Sequence, residues 1–256
     1  MPWKIRDAAG PLHNQLLGAL PIEIINRLEP HLFIAKFDAG DVICEAGGHV
    51  QYVYFPEGCV LSLHTIFENG YAIETANIGR EGAFGLMSAM FSRSSFNRCI
   101  MQLQGQLVAC KVEYIYNEFK NNQNVQNLFI SYSETLLSQV MQSVGCNALH
   151  TVQQRLSRWL LVMFDKYKNE DMSYTHEFIS NILGANRKSI TIAAQALQEL
   201  GCISYQRGII KVSDHTRLEN LSCECYEIVK SRFEVFLRPP ETSVQDTLHS
   251  IGNRIN

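Results

Sequence analysis

The texture of the chain changes twice. From Leu32 to Val112, short apolar segments recur at close spacing: LFIAKF, DVIC, VQYVYF, CVLSLHTIF, YAIETANI, CIMQLQ and LVACKV. Turn residues separate them, at Asp38-Ala39-Gly40, Gly47-Gly48, Pro56-Glu57-Gly58, Asn69-Gly70, Gly79 and Gly82. Strands this regular, with Asn-Gly marking at least one tight hairpin, predict a closed all-β barrel or jelly roll. One or two short helices are expected before it, over Asn14–Leu28.

Helical periodicity follows. Val112–Phe119 reads as a short helical segment, and a long stretch from about Val125 to Lys168 reads as helix, broken or bent near Gly145. In its first half Ile130, Ser133, Leu137, Val140 and Val144 recur in steps of three and four, a narrow stripe of the coiled-coil kind. Leu128, Phe129 and Leu136 form a second apolar side. A helix with two such faces fits between its own barrel and a twin, so Ile130, Leu137, Val140 and Val144 are expected to make a homodimer. Thr151–Tyr167 forms a second helical unit.

The segment His176–Ser213 carries the most specific pattern. Gly184 stands where two helical patterns meet, and glycine takes a left-handed backbone at a turn without steric cost. Ile179, Leu183, Ile190 and Leu197 fall where two crossing helices bury one face, and Ala185 and Ala193 permit close approach. Asn186 is a cap for the second helix, which places Arg187, Lys188, Ser189 and Thr191 on its exposed start. Ile203–Gln206 and Ile209–Val212 alternate as strands around Arg207-Gly208, a hairpin wing that also carries Lys211. The pattern is that of a winged helix-turn-helix and points to DNA binding through Asn186, Arg187, Lys188, Ser189, Thr191, Arg207 and Lys211. After Val212 come a polar turn and a final helix over Leu221–Leu237, then a tail opened by Pro239-Pro240 that is expected to be loosely ordered.

Charge modifies this picture little. The 256 residues carry a formal net charge of −3, so the whole is no polycation. Between Met172 and Ser213, however, four basic residues face two acidic ones, a local excess suited to a dimer that sums two modules. At 46% hydrophobic and 18% charged, the chain can bury a real core. No apolar run approaches bilayer length and no secretory signal opens the chain, so a cytoplasmic protein with no membrane partner is expected.

The order of barrel, long helix and winged helix-turn-helix resembles the Crp/Fnr family of bacterial transcription regulators. The likeness runs from Leu16 to Leu237 and is carried by VYFPEGCVLSL, ETANIGREGAFG, THEFISNILGANRKSITIAAQALQELGCISYQRG and LSCECY. It implies an α+β protein: an N-terminal double-stranded β-helix (jelly-roll) sensor barrel over 1–118, a dimerisation helix over 119–150, a winged helix-turn-helix over 151–238 and a tail over 239–256. It also implies binding to double-stranded promoter DNA as a homodimer, contact with RNA polymerase, and a barrel that senses an effector. Cyclic-nucleotide sensors of the family hold ribose with a Gly-Glu pair and phosphate with an Arg-Ser pair. Here the corresponding run is Ala83-Phe84-Gly85-Leu86, and Cys99 and Ile100 follow Arg98. Leucine cannot accept the ribose hydrogen bonds, so the effector is expected to be something else or absent, with Phe84, Leu86, Met87 and Arg98 marking the old pocket. On the recognition helix Lys188 and Ile192 replace a Glu and an Arg of the best-known cyclic-nucleotide member, which implies a different, still dyad-symmetric, operator.

The competing class is a cupin-like barrel enzyme or small-molecule binder, but no His-x-His stands anywhere in the sequence. No catalytic residue, metal ligand or cofactor is therefore expected, and Glu74 and Glu81 read as turn or rim carboxylates. The eight cysteines read as reduced, mostly small hydrophobes. The first is Cys44, alone, which leaves no N-terminal group for an iron–sulfur cluster. Cys223 and Cys225 are the suggestive pair, spaced more tightly than Cys-x-x-Cys and without an evident second pair of ligands.

Overall fold

In the computed structural model, residues 3–4, 13–167 and 172–237 are described. Helices α1 (Gln15–Gly18) and α2 (Ile22–Leu28) stand between a two-residue strand at Trp3–Lys4 and the remaining strands. Asn14 caps α1 by accepting from Leu17 N–H, and its amide donates to the carbonyls of Pro56 and Gly82, pinning the helix to the strand ends.

Two antiparallel four-stranded sheets follow. The first orders β1 (Trp3–Lys4), β2 (Leu32–Phe37), β8 (Gly105–Lys111) and β4 (Tyr52–Glu57). The second orders β3 (Val42–Cys44), β7 (Arg98–Leu103), β5 (Val60–Ile66) and β6 (Ala72–Ile78). Residues of both sheets, among them Ile34, Phe55 and Leu107 from one and Leu61, Ala76 and Met101 from the other, share one buried core. This is the jelly roll that the alternating segments predict. The β5–β6 hairpin turns at Asn69-Gly70, with Gly70 at φ 83°, a conformation glycine adopts freely.

Helix α3 (Leu86–Met90) interrupts the sheets, and α4 (Val112–Asn121) leads out of them. The long helix α5 runs from Gln123 to Leu149 without a break at Gly145. The interruption comes at His150, which is extended (φ −98°, ψ 148°), before α6 (Val152–Tyr167). Thr151 and Gln154 set that boundary. Gln154 N–H donates to Thr151 Oγ1, and Thr151 N–H donates back to Gln154 Oε1, a reciprocal cap that starts a new helix. Gly145 has open space around it and nothing to force a bend.

Phe129, Tyr132 and Leu136 on α5 are buried against the barrel, with Leu128 packed beside them. Ile130, Leu137 and Val144 are exposed, at 52%, 48% and 67%. Val140 belongs elsewhere: it leans on the protein's own core, and the exposed Met141 takes its place on the outer stripe. The step from 137 to 141 rather than to 140 follows the 3.6-residue helical turn.

The second core gathers α6, β9 (Met172–Ser173), α7 (His176–Leu183), α8 (Arg187–Glu199), β10 (Ile203–Gln206), β11 (Ile209–Val212) and α9 (His215–Asn220). The segment read as a polar turn after Val212 therefore contains a helix, capped by Asp214 on Arg217 N–H. The last helix, α10 (Cys225–Phe236), begins later than expected. The proline-led tail lies outside the described residues. No helix among the described residues is long and apolar enough to cross a membrane.

Candidate nucleic-acid interface

Helix α7 opens at Thr175, whose hydroxyl accepts from Phe178 N–H, and ends at Gly184 (φ 55°, ψ 41°). That left-handed glycine lets the chain reverse into Asn186, whose side chain accepts from Lys188 N–H and starts α8. Ile179, Leu183, Ile190 and Leu197 are buried between the helices, as their spacing predicts. Asn186, Arg187 and Lys188 are exposed at the tip of α8, and Ser189 is half-buried. Arg187 lies 4.0 Å from Glu177, with both side chains about 70% exposed; an ion pair so wet contributes little.

Thr191 has a different position from its neighbours. Its hydroxyl donates to the Arg187 carbonyl (3.1 Å) and lies 3.0 Å from His176 Nδ1, so it ties α8 to α7. His176 in turn stacks on Tyr205 of the wing, ring centroids 4.5 Å apart. The wing is an antiparallel pair, Ile203 to Val212 and Gln206 to Ile209, whose turn holds Arg207 (φ 50°) and Gly208 (φ 82°). Arg207 and Lys211 are both exposed.

The reading module is docked on its own barrel. Val60 and Leu103 of the barrel enter the second core beside Trp159. Gly184, at the helix-turn-helix corner, sits against Ile73 of β6. Two carboxylates expected at turns or rims instead anchor this junction. Glu74 is half-buried: it receives the Ser62 hydroxyl and the Trp159 indole N–H (3.1 Å), and Asn77 donates to it at 3.2 Å. Burial pushes its carboxyl above the usual range, against those donors and the Lys166 charge. Glu81 pairs with Lys166 of α6 at 2.5 Å, both side chains nearly buried. His64 joins the network through Ser62 (2.7 Å), and its burial lowers its pKa to about 4.

The four residues expected to mark an effector pocket do not come together as one cavity. Phe84 lines an open groove of about 250 Å³ with Cys44, His49, Tyr52 and Tyr54. Leu86 is packed in the barrel core at 1% exposure. Met87 is half-buried, and Arg98 donates from Nε to Glu45 Oε2 at 2.6 Å. The neighbouring loop is bound to α5 instead: the Tyr132 hydroxyl donates to the Ala83 carbonyl and accepts from Ala83 N–H, both at 3.0 Å. A Cβ on Gly82 would collide with that ring.

Cys223 and Cys225 have the second pair of ligands that their spacing left unseen. Cys146 in the last turn of α5 and His150 at its C-terminal end bring their Sγ and ring nitrogen together with the two thiols, all four atoms within 4.8 Å of one another. Hydrogen bonding from the Cys223 thiol, chief among several causes, holds Cys146 down to about 5, and the same contact raises Cys223.

A β-barrel joined through a long helix to a winged helix-turn-helix with a polar, partly basic tip defines a DNA-binding transcription regulator. Residues 154–221 match the Crp-like helix-turn-helix domain. The global nitrogen regulator of Nostoc sp. is 21% identical over 188 residues, covering 70% of this chain and 84% of the relative. That of Synechocystis sp. is 21% identical over 194 residues, with 72% and 86% covered. Among solved structures, FixK2 from Bradyrhizobium japonicum shares the fold at a TM-score of 0.64 and 15% identity, covering 75% of this chain and 98% of that one. A Crp/Fnr-family transcriptional regulator from Thermus thermophilus does so at 0.60 and 18%, covering 74% and 97%. The chain thus carries a Crp-like helix-turn-helix domain and is similar in fold to a Crp/Fnr-family transcriptional regulator.

Proposed function

We propose that the protein binds a dyad-symmetric promoter operator as a cytoplasmic homodimer, presenting the start of α8 to the major groove and the wing to the flanking backbone. The observation that carries this reading is the exposed tip Asn186-Arg187-Lys188 on a helix whose opposite face is buried. Arg187 reads a base pair, because a guanidinium bridges two acceptors on guanine. Asn186, Lys188, Ser189, Arg207 and Lys211 hold phosphates or base edges. The Thr191 hydroxyl is engaged within the fold, which leaves its methyl group to meet a thymine methyl.

The pairing surface is the outer stripe of α5. Ile130, Leu137 and Val144 stand seven residues apart, with Met141 between the last two, all exposed. Two-fold pairing of this helix sets two reading modules against two half-sites. Contact with RNA polymerase belongs to the same reading.

The effector is not a cyclic nucleotide, or there is none. Leu86 fills the barrel core where ribose would need an acceptor, and the Arg98 guanidinium is paired with Glu45. No step of catalysis is assigned to any residue.

Selection of bound sequences from a random duplex library tests the reading. A dyad-symmetric consensus is expected. Arg187→Ala should then erase the preference at one base pair of each half-site, a loss of ~1–3 kcal/mol. Lys211→Ala should weaken all sequences evenly and lower the salt slope by about one. Equal losses on selected and random DNA for Arg187→Ala would refute its base-reading role.

A further inference from the structure

We propose that Cys146, His150, Cys223 and Cys225 form a tetrahedral site for a single zinc ion that clips the end of the long helix to the start of the last one.

The donors converge from two elements 77 residues apart in sequence. Cys146 lies in the last turn of α5, and His150, four residues on, is the extended residue that ends the helix, its N–H donating to the Cys146 carbonyl. Cys223 and Cys225 flank Glu224, the residue that precedes the first turn of α10. Cys146 Sγ lies 3.5 Å from Cys223 Sγ, and Cys225 Sγ lies 3.5 Å from His150 Nδ1. A tetrahedron with zinc–sulfur bonds of ~2.3 Å and zinc–nitrogen bonds of ~2.0 Å has edges of about 3.5–3.8 Å. The protein therefore holds these pairs at the separations one ion requires. A polynuclear iron–sulfur core spreads its ligands more widely than the 4.8 Å that contains all four atoms here.

The surroundings are built for the same purpose. All three sulfurs belong to buried residues forming a separate small cluster of their own. His150 Nε2 faces Glu224 Oε1 at 3.3 Å, so the carboxylate takes the outer ring proton and the Nδ1 lone pair is aimed inward. That carboxylate–histidine pairing is how proteins orient a metal-bound imidazole. Gln142 Nε2 donates to Cys225 Sγ at 3.0 Å, a bond that steadies a thiolate. The positive charge of Arg158 acts on Cys146. Three thiolates and a divalent ion leave one net negative charge, which that arginine offsets. On loading, whatever protons the three sulfurs still carry leave to solvent, and no covalent bond between protein heavy atoms is made or broken. Three soft sulfurs and one imidazole select zinc over magnesium, calcium or manganese.

The site also has a position that matters. His150 is the extended residue between α5 and α6, the hinge from which the reading module hangs. An ion there fixes the hinge against α10 and is a structural clip.

The test is metal analysis of the full-length protein, purified in reductant without chelator. About one zinc per protomer is expected, falling below ~0.2 in Cys146→Ser and in Cys223→Ser and remaining near one in Cys202→Ser, a buried thiol elsewhere. Should the serine variants fail to fold, the wild-type chain loaded with cobalt keeps the proposal testable. It should show the intense visible bands of tetrahedral cobalt together with thiolate charge transfer, and His150→Cys should retain one ion with shifted bands. Wild-type protein without zinc and without those bands would overturn the proposal. So would stoichiometric iron and sulfide, a Cys146–Cys223 disulfide under reductant, or full zinc retained in both serine variants. Occupancy is read without DNA, so this outcome is separate from the fate of the DNA-binding reading.

Discussion

Trp159→Phe is the perturbation that probes most sharply how the reading module is held to the barrel. The indole N–H donates to Glu74 Oε1 at 3.1 Å, and the residue is 2% exposed, flanked by Tyr174 with ring centroids 4.9 Å apart. Phenylalanine preserves a ring for Tyr174 but removes a donor from the part-buried Glu74 carboxyl group. Leaving a buried acceptor short of a partner costs ~1–3 kcal/mol. The smaller ring adds a cavity cost of about 1 kcal/mol, since core truncation by a few atoms is felt even where an aromatic remains. The sum is ~2–4 kcal/mol of lost stability, read from urea unfolding followed by far-ultraviolet circular dichroism. A double-mutant cycle separates the two parts. With Glu74→Gln in the background, Trp159→Phe should cost ~1–2 kcal/mol less than in the wild type, because the carboxyl acceptor is gone. A cost below about 0.5 kcal/mol, or strict additivity with Glu74→Gln, would refute the claim that this hydrogen bond holds the junction.

Acid should weaken the same junction through His64. Its pKa is lowered from 6.5 to about 4 by burial, so the unfolded chain binds more protons between those values and stability falls as pH drops from 6.5 toward 4. The full shift converts to ~3 kcal/mol, reduced to about 2 because the ring is partly reached by solvent. His64→Gln should flatten that part of the wild-type stability curve, and an unchanged slope would exclude His64 as its source. On the pairing face, Leu137→Glu should raise the dimer dissociation constant more than ~100-fold, because two apolar anchors of ~1.5–3 kcal/mol each are replaced by facing charges. Sedimentation equilibrium measures this; Val140→Ala, on the inner side, should cost folding stability instead.

The reading module was the most legible part of the chain because its signals are local. Gly184, Asn186 and the Arg207-Gly208 turn each dictate a backbone conformation by themselves, and the burial of Ile179, Leu183, Ile190 and Leu197 follows from helical spacing. Strands were legible for the same reason, each bounded by its own turn residues. Gly145 suggests a bend by its residue type, whereas the reciprocal cap between Thr151 and Gln154 sets the actual break. Val140 and Met141 are adjacent and both apolar, and only the packed helix shows which one faces outward. The roles of Glu74 and Glu81 depend on Trp159 and Lys166, more than eighty residues away, and no local pattern announces them. Cys146 and His150 stand four residues apart, but nothing local marks them as partners of Cys223 and Cys225. The grouping could be recognised only after α10 folded back onto α5.

The central claim is that two copies of this chain, joined along α5, place two α8 tips on one duplex. Sedimentation velocity of the full-length protein with a selected operator, repeated across a salt series, measures it most directly. The account predicts two protomers on each duplex and an association constant that falls linearly with salt on logarithmic axes. A complex containing one protomer, or an affinity indifferent to salt, would contradict it.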